Sequence, residues 1–448
     1  MAAIVTDALK HDLSGKFLTE VNNATDSNQF YIGIGNPIEY NSTDTPTTPV
    51  RKLTEEREAR NNIMSVKKVE NASFVIPRYN WTSGTIYSGW NDDVVGYPSN
   101  SYYVMTEDQA IYVCLQQGKS ASGQANQSIV KPSYTDAGVI STKAFETSDG
   151  YRWKFLYSLS ATRSAAFLTS SYIPIEKVVT ATNTFETEQK TVQDAAVGGQ
   201  IYGANKVSGG SGYTSAPTVF VYGNGTGAQA TATISGGAVV KIEMNNESAA
   251  LGSGYDYANF VISGGGGSGA EYRPIVSPKN GLEADMPKSL KTSSVMLNAK
   301  PNGIEGGDFV VDQDFRQITV LKNPTLMDST EIFTETTGKA LRKVVMQSAV
   351  AFTNDDIIRD STGGSAAYIV DVDSVNVFYI QNNHTGFLAF EDTMFVEDSD
   401  GSLDGVIDSA DIDGDIDRYS GDLLYIENRA KIIRSSSQTE DIKVVITV

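Results

Sequence analysis

The side chains best placed to do chemistry in this sequence are carboxylates. Residues 397–417 hold Glu397 and a run of aspartates that ends at Asp417, with no Lys or Arg among them. A calcium loop of the EF-hand type places oxygen ligands at loop positions 1, 3, 5 and 12 around a glycine at position 6. With Gly414 as that glycine, Asp411 and Asp413 take positions 3 and 5, but Ser409 and Ser420 stand at positions 1 and 12, so the bidentate Glu is missing. With Gly401 instead, the end positions fall on Val396 and Ile407. The stretch therefore reads as a solvated acidic loop, with an irregular calcium site as the alternative.

Other chemistry is harder to assemble. The two histidines, His11 and His384, sit in an amphipathic segment and a polar turn, poor places for the base of a Ser-His-Asp triad. Two His and one Cys do not make a zinc set without several carboxylates. A carboxylate pair for glycoside cleavage is defined by spatial separation, and among 54 Asp and Glu a chance pairing carries no information. The glycines at 264–267 are not a phosphate loop, because no Lys-Ser or Lys-Thr follows them. The reading is a non-enzyme with no catalytic, cofactor-binding or metal-binding residues and no cofactor.

Composition narrows the partners. With 35 Lys and Arg against 54 Asp and Glu the formal charge is −19, which opposes binding to nucleic acid or to an anionic membrane surface. The single cysteine, Cys114, excludes an intrachain disulfide and reads as a small buried apolar residue. No apolar run approaches the roughly 20 residues of a membrane span, and no secretory signal is read at the N-terminus.

The elements that position these groups are mostly strands. Apolar spacing over 6–23 predicts a short helix, and 51–68 predicts the best helix of the chain, capped by Thr54 with Lys67 and Lys68 at its far end. Strands are expected at 28–37, 75–81, 110–115, 150–159 and 314–321. In 150–159, Tyr151, Trp153, Phe155 and Tyr157 form one face to be buried, with Arg152 and Lys154 opposite. The end of the chain, 421–448, holds three apolar runs and a polar turn, and its last strand must pair with strands from far upstream. Between 198 and 278 glycine is dense and a repeat appears at a constant offset of 42: Gly210-Ser-Gly-Tyr213 returns as Gly252-Ser-Gly-Tyr255, and Gly227-Ala228 as Gly269-Ala270. A fixed offset means a duplicated supersecondary unit. Residues 351–418 read as a second insertion, a small barrel or sandwich.

Six short segments recur in one order outside these insertions: Phe30-Tyr-Ile-Gly-Ile-Gly35, Val75-Ile-Pro77-Arg78 with Trp81, Tyr112-Val-Cys-Leu115, Asp149-Gly150-Tyr-Arg-Trp153, Phe315-Arg316-Gln-Ile318, and Tyr425-Ile-Glu427-Asn428-Arg429. Together they resemble the T-even-type phage baseplate wedge protein, the gene product eight family. The resemblance covers roughly 10–195, 285–345 and 419–448. It implies a structural virion protein that forms a homodimer, joins other baseplate wedge subunits of a contractile tail during assembly in the host cytoplasm, and takes part in triggering sheath contraction. It supplies no catalytic or metal residues.

The expected architecture is mainly β with a few short helices: a multi-domain sandwich or barrel body closed by both chain ends, plus two inserted small β-domains. Its divisions are a body at 1–195, a Gly-rich repeat module at 196–280, body again at 281–345, an acidic module at 346–418, and closing strands at 419–448. The insertions are expected to project toward tail-fibre attachment proteins or adjacent wedge subunits. The rival reading, a carbohydrate-binding or carbohydrate-cleaving tail or adhesion protein, rests on Trp81, Trp90, Trp153 and the many tyrosines.

Overall fold

A computed structural model of the chain describes residues 4–23, 25, 27–93, 101–133, 142–245, 250–302, 313–360, 364–381, 389–435, 437 and 439–448. Strand outweighs helix by 44% to 13%, so the fold is mainly β, built from several antiparallel sheets and a six-stranded barrel. The chain forms two compact units, one of Met1–Gly15, Ser73–Ser294 and Val448, the other of Lys16–Ala72 and Val295–Thr447. Among the described residues no helix is long and apolar enough to cross a membrane.

The second unit contains a five-stranded antiparallel sheet in the order Thr337–Lys339, Ile63–Lys68, Phe30–Gly35, Asp314–Lys322, Asp422–Ile433. Segments from near both chain ends thus share one sheet, and every residue of Phe30–Gly35 is buried. The final strand, Ile442–Thr447, lies beside Ser294–Ala299. The Leu423 and Ile432 runs, expected to be separate, belong to one twelve-residue strand. Its register against Asp314–Lys322 shifts twice, once between Asn428 and Ile432, where the polar residues lie, and once between Leu423 and Tyr425.

The expected helix over 51–68 is shorter. It covers Leu53–Asn61, begins after Lys52 with no side-chain cap, and gives way at once to the strand Ile63–Lys68. Ile63, Met64 and Val66 are buried in the sheet, and that burial overrides the helical spacing. Lys67 and Lys68 are therefore strand residues and do not complement a helix end.

The same unit holds a closed barrel in the order Arg342–Met346, Asn376–Ile380, Ala366–Asp373, Ile357–Asp360, Phe395–Glu397, Asp404–Ile412. Val344, Ile358, Ile369, Val377, Val396 and Ile407 fill it. Closure leaves no strand edge to template association. The stretch read as a solvated acidic loop is here largely strand, Asp404–Ile412 and then Ile416–Asp417. Ile407 and Ile416 are wholly buried and anchor this backbone, while Asp404, Asp408, Asp413 and Asp415 stay exposed.

In the first unit, Tyr103–Met105, Ala110–Gln116, Arg152–Ser158 and Phe145–Glu146 form a four-stranded sheet, and Asn71–Pro77 pairs with Tyr172–Ile175. Both faces of Arg152–Ser158 are covered. Arg152 donates to the Met244 carbonyl at 3.0 Å, and Lys154 Nζ lies 2.8 Å from the buried Glu283 carboxylate. The face expected to be polar is thus interior, with its charges paired.

The repeat folds by exchange. Ile201–Ser211 pairs with Ser268–Val276, setting Ser211 opposite Ser268, while Thr226–Ala228 pairs with Leu251–Ser253, setting Thr226 opposite Ser253. Each copy's Gly-Ser-Gly strand therefore pairs with the other copy's Gly-x-Gly-Ala strand. Gly210 has φ 62°, and a Cβ there would stand 2.3 Å from the Ser268 carbonyl oxygen, so no other residue fits this crossing. Trp90 packs edge-on to Tyr202, and Arg273 pairs with Asp92 at 2.8 Å, tying the repeat to the rest of the unit.

Candidate functional site

The motif residues separate into two groups, one in each unit. In the Lys16–Ala72 and Val295–Thr447 unit, Asp314–Lys322 and Asp422–Ile433 are adjacent, with Gln317 opposite Asn428, Ile318 opposite Glu427 and Val320 opposite Tyr425. Phe315 is buried in the sheet. Between Phe315 and Gln317 the register shifts, and at this irregularity sits Arg316, only 2% exposed. Its Nε donates to both oxygens of Asp44 at 2.8 and 2.9 Å, its second terminal nitrogen pairs with Asp314 at 3.1 Å, and the first donates to the Pro37 carbonyl. Burial pulls this guanidinium down, but Asp44 and Asp314 outweigh it and hold the group above its usual range.

Around Arg316 the remaining motif side chains lock one another. Tyr425 donates to Glu427 at 2.9 Å, and Arg429 Nε reaches the other oxygen of Glu427 at 3.2 Å. Asn428 donates to the Thr47 carbonyl at 3.1 Å and accepts from Gln317 Nε2 at 2.8 Å. The Tyr40 hydroxyl donates to the Arg316 carbonyl and accepts from the Arg429 backbone N–H. Asp44 and Tyr40 are members of this node that sequence reasoning missed. They lie 272 and 276 residues from Arg316, and nothing in their local pattern marks them.

In the other unit, Pro77 ends its strand and its carbonyl accepts from the Tyr103 hydroxyl at 2.8 Å. Arg78 donates to the Thr169 carbonyl at 2.8 Å and to Asn80 at 3.0 Å, while Trp81 Nε1 donates to Ser128 at 3.1 Å. Gly150 turns the chain at φ 85°. Beside it, Asp149 accepts from Thr147 and from the N–H groups of Ile129 and Val130. Burial pushes this carboxyl up, yet the donated hydrogen bonds prevail and hold it below the usual range. Trp153 is fully buried, stacked on Tyr151 at 5.6 Å and edge-on to Tyr87 at 5.7 Å.

Both groups anchor backbone: their charged and amide side chains bond to carbonyls, N–H groups or partners of opposite charge. The other candidates are dispersed. His11 stacks on Phe74 at 5.0 Å and bonds through Nδ1 to the Thr292 carbonyl, whereas His384 lies outside the described residues. Cys114 is buried, and burial pushes its thiol well above the ordinary range. Asp413 pairs with Arg342 at 2.8 Å, and Asp411 accepts from the Tyr379 hydroxyl. Among the described residues no group of three or more His, Cys, Asp or Glu is arranged to hold a metal ion. Trp90 and Trp153 are core residues, so they offer no face to a sugar. No protein-family model matches the chain, and no curated protein matches it either.

Proposed function

We propose that the chain is a structural subunit of the baseplate wedge of a contractile phage tail. In this reading it is a homodimer that holds neighbouring wedge proteins in position during tail assembly and in the contraction trigger. It works without turnover, cofactor, nucleic acid or membrane, in the virion after assembly in the host cytoplasm. The observation that carries the reading is the set of six ordered motifs that resemble the wedge protein family. Its support in the fold is that the polar members of those motifs serve as anchors between distant segments, the work expected of a load-bearing part. The repeat and acidic modules are assigned to contacts with tail-fibre attachment proteins or adjacent wedge subunits. Cryo-electron microscopy of the parent particle with this subunit labelled tests the proposal: density in the baseplate supports it, and density elsewhere overturns it.

One observation favours the carbohydrate-binding alternative. Phe220, Tyr222 and Tyr257 of the repeat module are exposed, and the first two rings lie 6.4 Å apart on one strand. Exposed rings at this spacing suit the apolar faces of sugars. Glycan-array binding without incorporation into a baseplate decides for that reading.

A further inference from the structure

The Gly-rich repeat contains a four-stranded sheet in the order Ala238–Met244, Ala230–Ser235, Thr218–Gly223, Ala258–Ser263. Its last two strands pair over six consecutive residues with no register shift, Phe220 opposite Val261 and Tyr222 opposite Asn259. Side chains alternate across a strand, so each of the two has an inward and an outward row. Val219, Phe260 and Ile262 pack into the core of the module with Tyr213 and Tyr272. The outward rows are Thr218, Phe220 and Tyr222 on one strand and Asn259, Val261 and Ser263 on the other, all of them exposed.

An antiparallel sheet with one face on the core reads apolar inward and polar outward, so the outward rings need a reason. The repeat itself shows that the fold does not require them. Tyr213 recurs as Tyr255, and both are buried, at 5% and 3% exposure. Phe220 and Tyr222, at 47% and 58%, do not recur: 42 positions on stand Ile262, which packs inward, and Gly264. The tyrosines that recur hold the module together, whereas the two rings that do not recur share one exposed face.

The groups around the rings select the ligand. The Phe220 and Tyr222 rings lie 6.4 Å apart with 37° between their planes, so a ligand must offer them successive apolar faces. Thr218 stands opposite Ser263, and Asn259 stands opposite Tyr222, so hydroxyl and amide groups border the rings at both ends. None of the six outward residues is charged. A nucleic-acid strand has bases to stack but needs cationic groups along its phosphates, which this face does not offer on a chain of formal charge −19. An anionic lipid surface is opposed by the same charge. A pyranose chain fits: its C–H faces suit the rings, and its hydroxyls donate to and accept from the amide and hydroxyl border. We propose that the outward face of Thr218–Gly223 and Ala258–Ser263 binds an uncharged oligosaccharide, with sugar rings on Phe220 and Tyr222 and hydroxyls on Asn259, Thr218 and Ser263. The site rests on the carbohydrate-binding reading above for its ligand class, but it needs no cleavage, so a wedge subunit can carry it.

The test uses the full chain on an array of cellohexaose, maltohexaose and chitohexaose, with polygalacturonate and sialylated chains as anionic controls. Neutral chains should bind, and calorimetry with the tightest of them should give an affinity that is nearly independent of salt. Phe220→Ala with Tyr222→Ala removes two exposed rings, so the variant should unfold at the natural temperature and bind about 10-fold more weakly. Phe220→Tyr keeps the ring and should keep the affinity. Neutral binding that the double variant leaves unchanged overturns the site while the carbohydrate reading stands. Binding to no chain on the array overturns both, and a preference for the anionic chains overturns the uncharged ligand. Loss of particle assembly in the double variant, with no sugar bound by the natural protein, assigns the face to a protein neighbour and overturns the proposal. The wedge assignment is judged separately by the labelled particle.

Discussion

Arg316→Met is the sharpest perturbation of the node. It removes the guanidinium and keeps most of the apolar stem, so the loss is one of charge and hydrogen bonds rather than volume. Asp44 and Asp314 then lose the partner that holds them at 2.8 and 3.1 Å, and the Pro37 carbonyl loses its donor. Removing one member of a buried ion pair costs about 3–5 kcal/mol. Two features favour the low end: the carboxylates are 22% and 14% exposed, and Lys431 stays 3.1 Å from Asp314. A loss of about 3 kcal/mol in a unit of this size lowers its Tm by roughly 6–12 °C. Differential scanning calorimetry reads that shift in the transition of the Lys16–Ala72 and Val295–Thr447 unit. Asp44→Asn added to Arg316→Met should recover part of the loss, because the uncompensated charge goes. A shift below about 2 °C, or a double variant less stable than Arg316→Met alone, would refute the claim that the node is held by charge pairing.

Two further outcomes follow from the other unit. Gly210→Ala meets both a positive φ and the Ser268 carbonyl at 2.3 Å, whereas Gly236→Ala has φ 58° with open space around it, so thermal unfolding should show the first to be clearly more destabilising and the second to cost about 1–2 kcal/mol. Asp149→Asn should destabilise by about 1–3 kcal/mol at neutral pH. Since the native carboxyl is depressed below 3.8, its contribution is present above that value and lost as the pH falls through the native pKa, so denaturation curves of the variant and the natural protein should converge in acid.

Strands were legible wherever β-branched and aromatic residues alternate, as in Phe30–Gly35, Ala110–Gln116 and Asp314–Lys322. The length of the Leu53–Asn61 helix was not, because Ile63, Met64 and Val66 fit a helical stripe as well as a buried strand, and only a neighbouring strand decides between them. Arg152 and Lys154 looked like a solvent face because a local pattern shows charge but not the distant carbonyl of Met244 or the carboxylate of Glu283 that pairs with it. The candidate site was half visible for the same reason. Its motif residues stand out as strings, but the partners that give them work, Asp44, Tyr40 and Thr47, come from a segment with no pattern of its own. The acidic stretch misled in the opposite direction, since its spaced Ile residues are what fix it, Ile407 in the barrel core and Ile416 in the cluster with Tyr31 and Leu321.

The repeat carries this argument one step further. An offset of 42 announces two copies of a strand–turn–strand unit that together should make one small β-domain. The pairing of Ser211 with Ser268 and of Ser253 with Thr226 shows how the copies are joined. Each copy lends one strand and receives one, and Thr218–Gly223 and Ala258–Ser263 pair across the copies as well. Neither copy can complete its ladders alone, so losing either leaves the other with unpaired backbone, which is costly when buried. The duplication is therefore a single cooperative fold rather than an array. Among the glycines that repeat with it, Gly210 and Gly252 mark places where the exchanged strands pass too close for a side chain, a Cβ there standing 2.3 Å from the Ser268 carbonyl oxygen and 2.6 Å from that of Thr226.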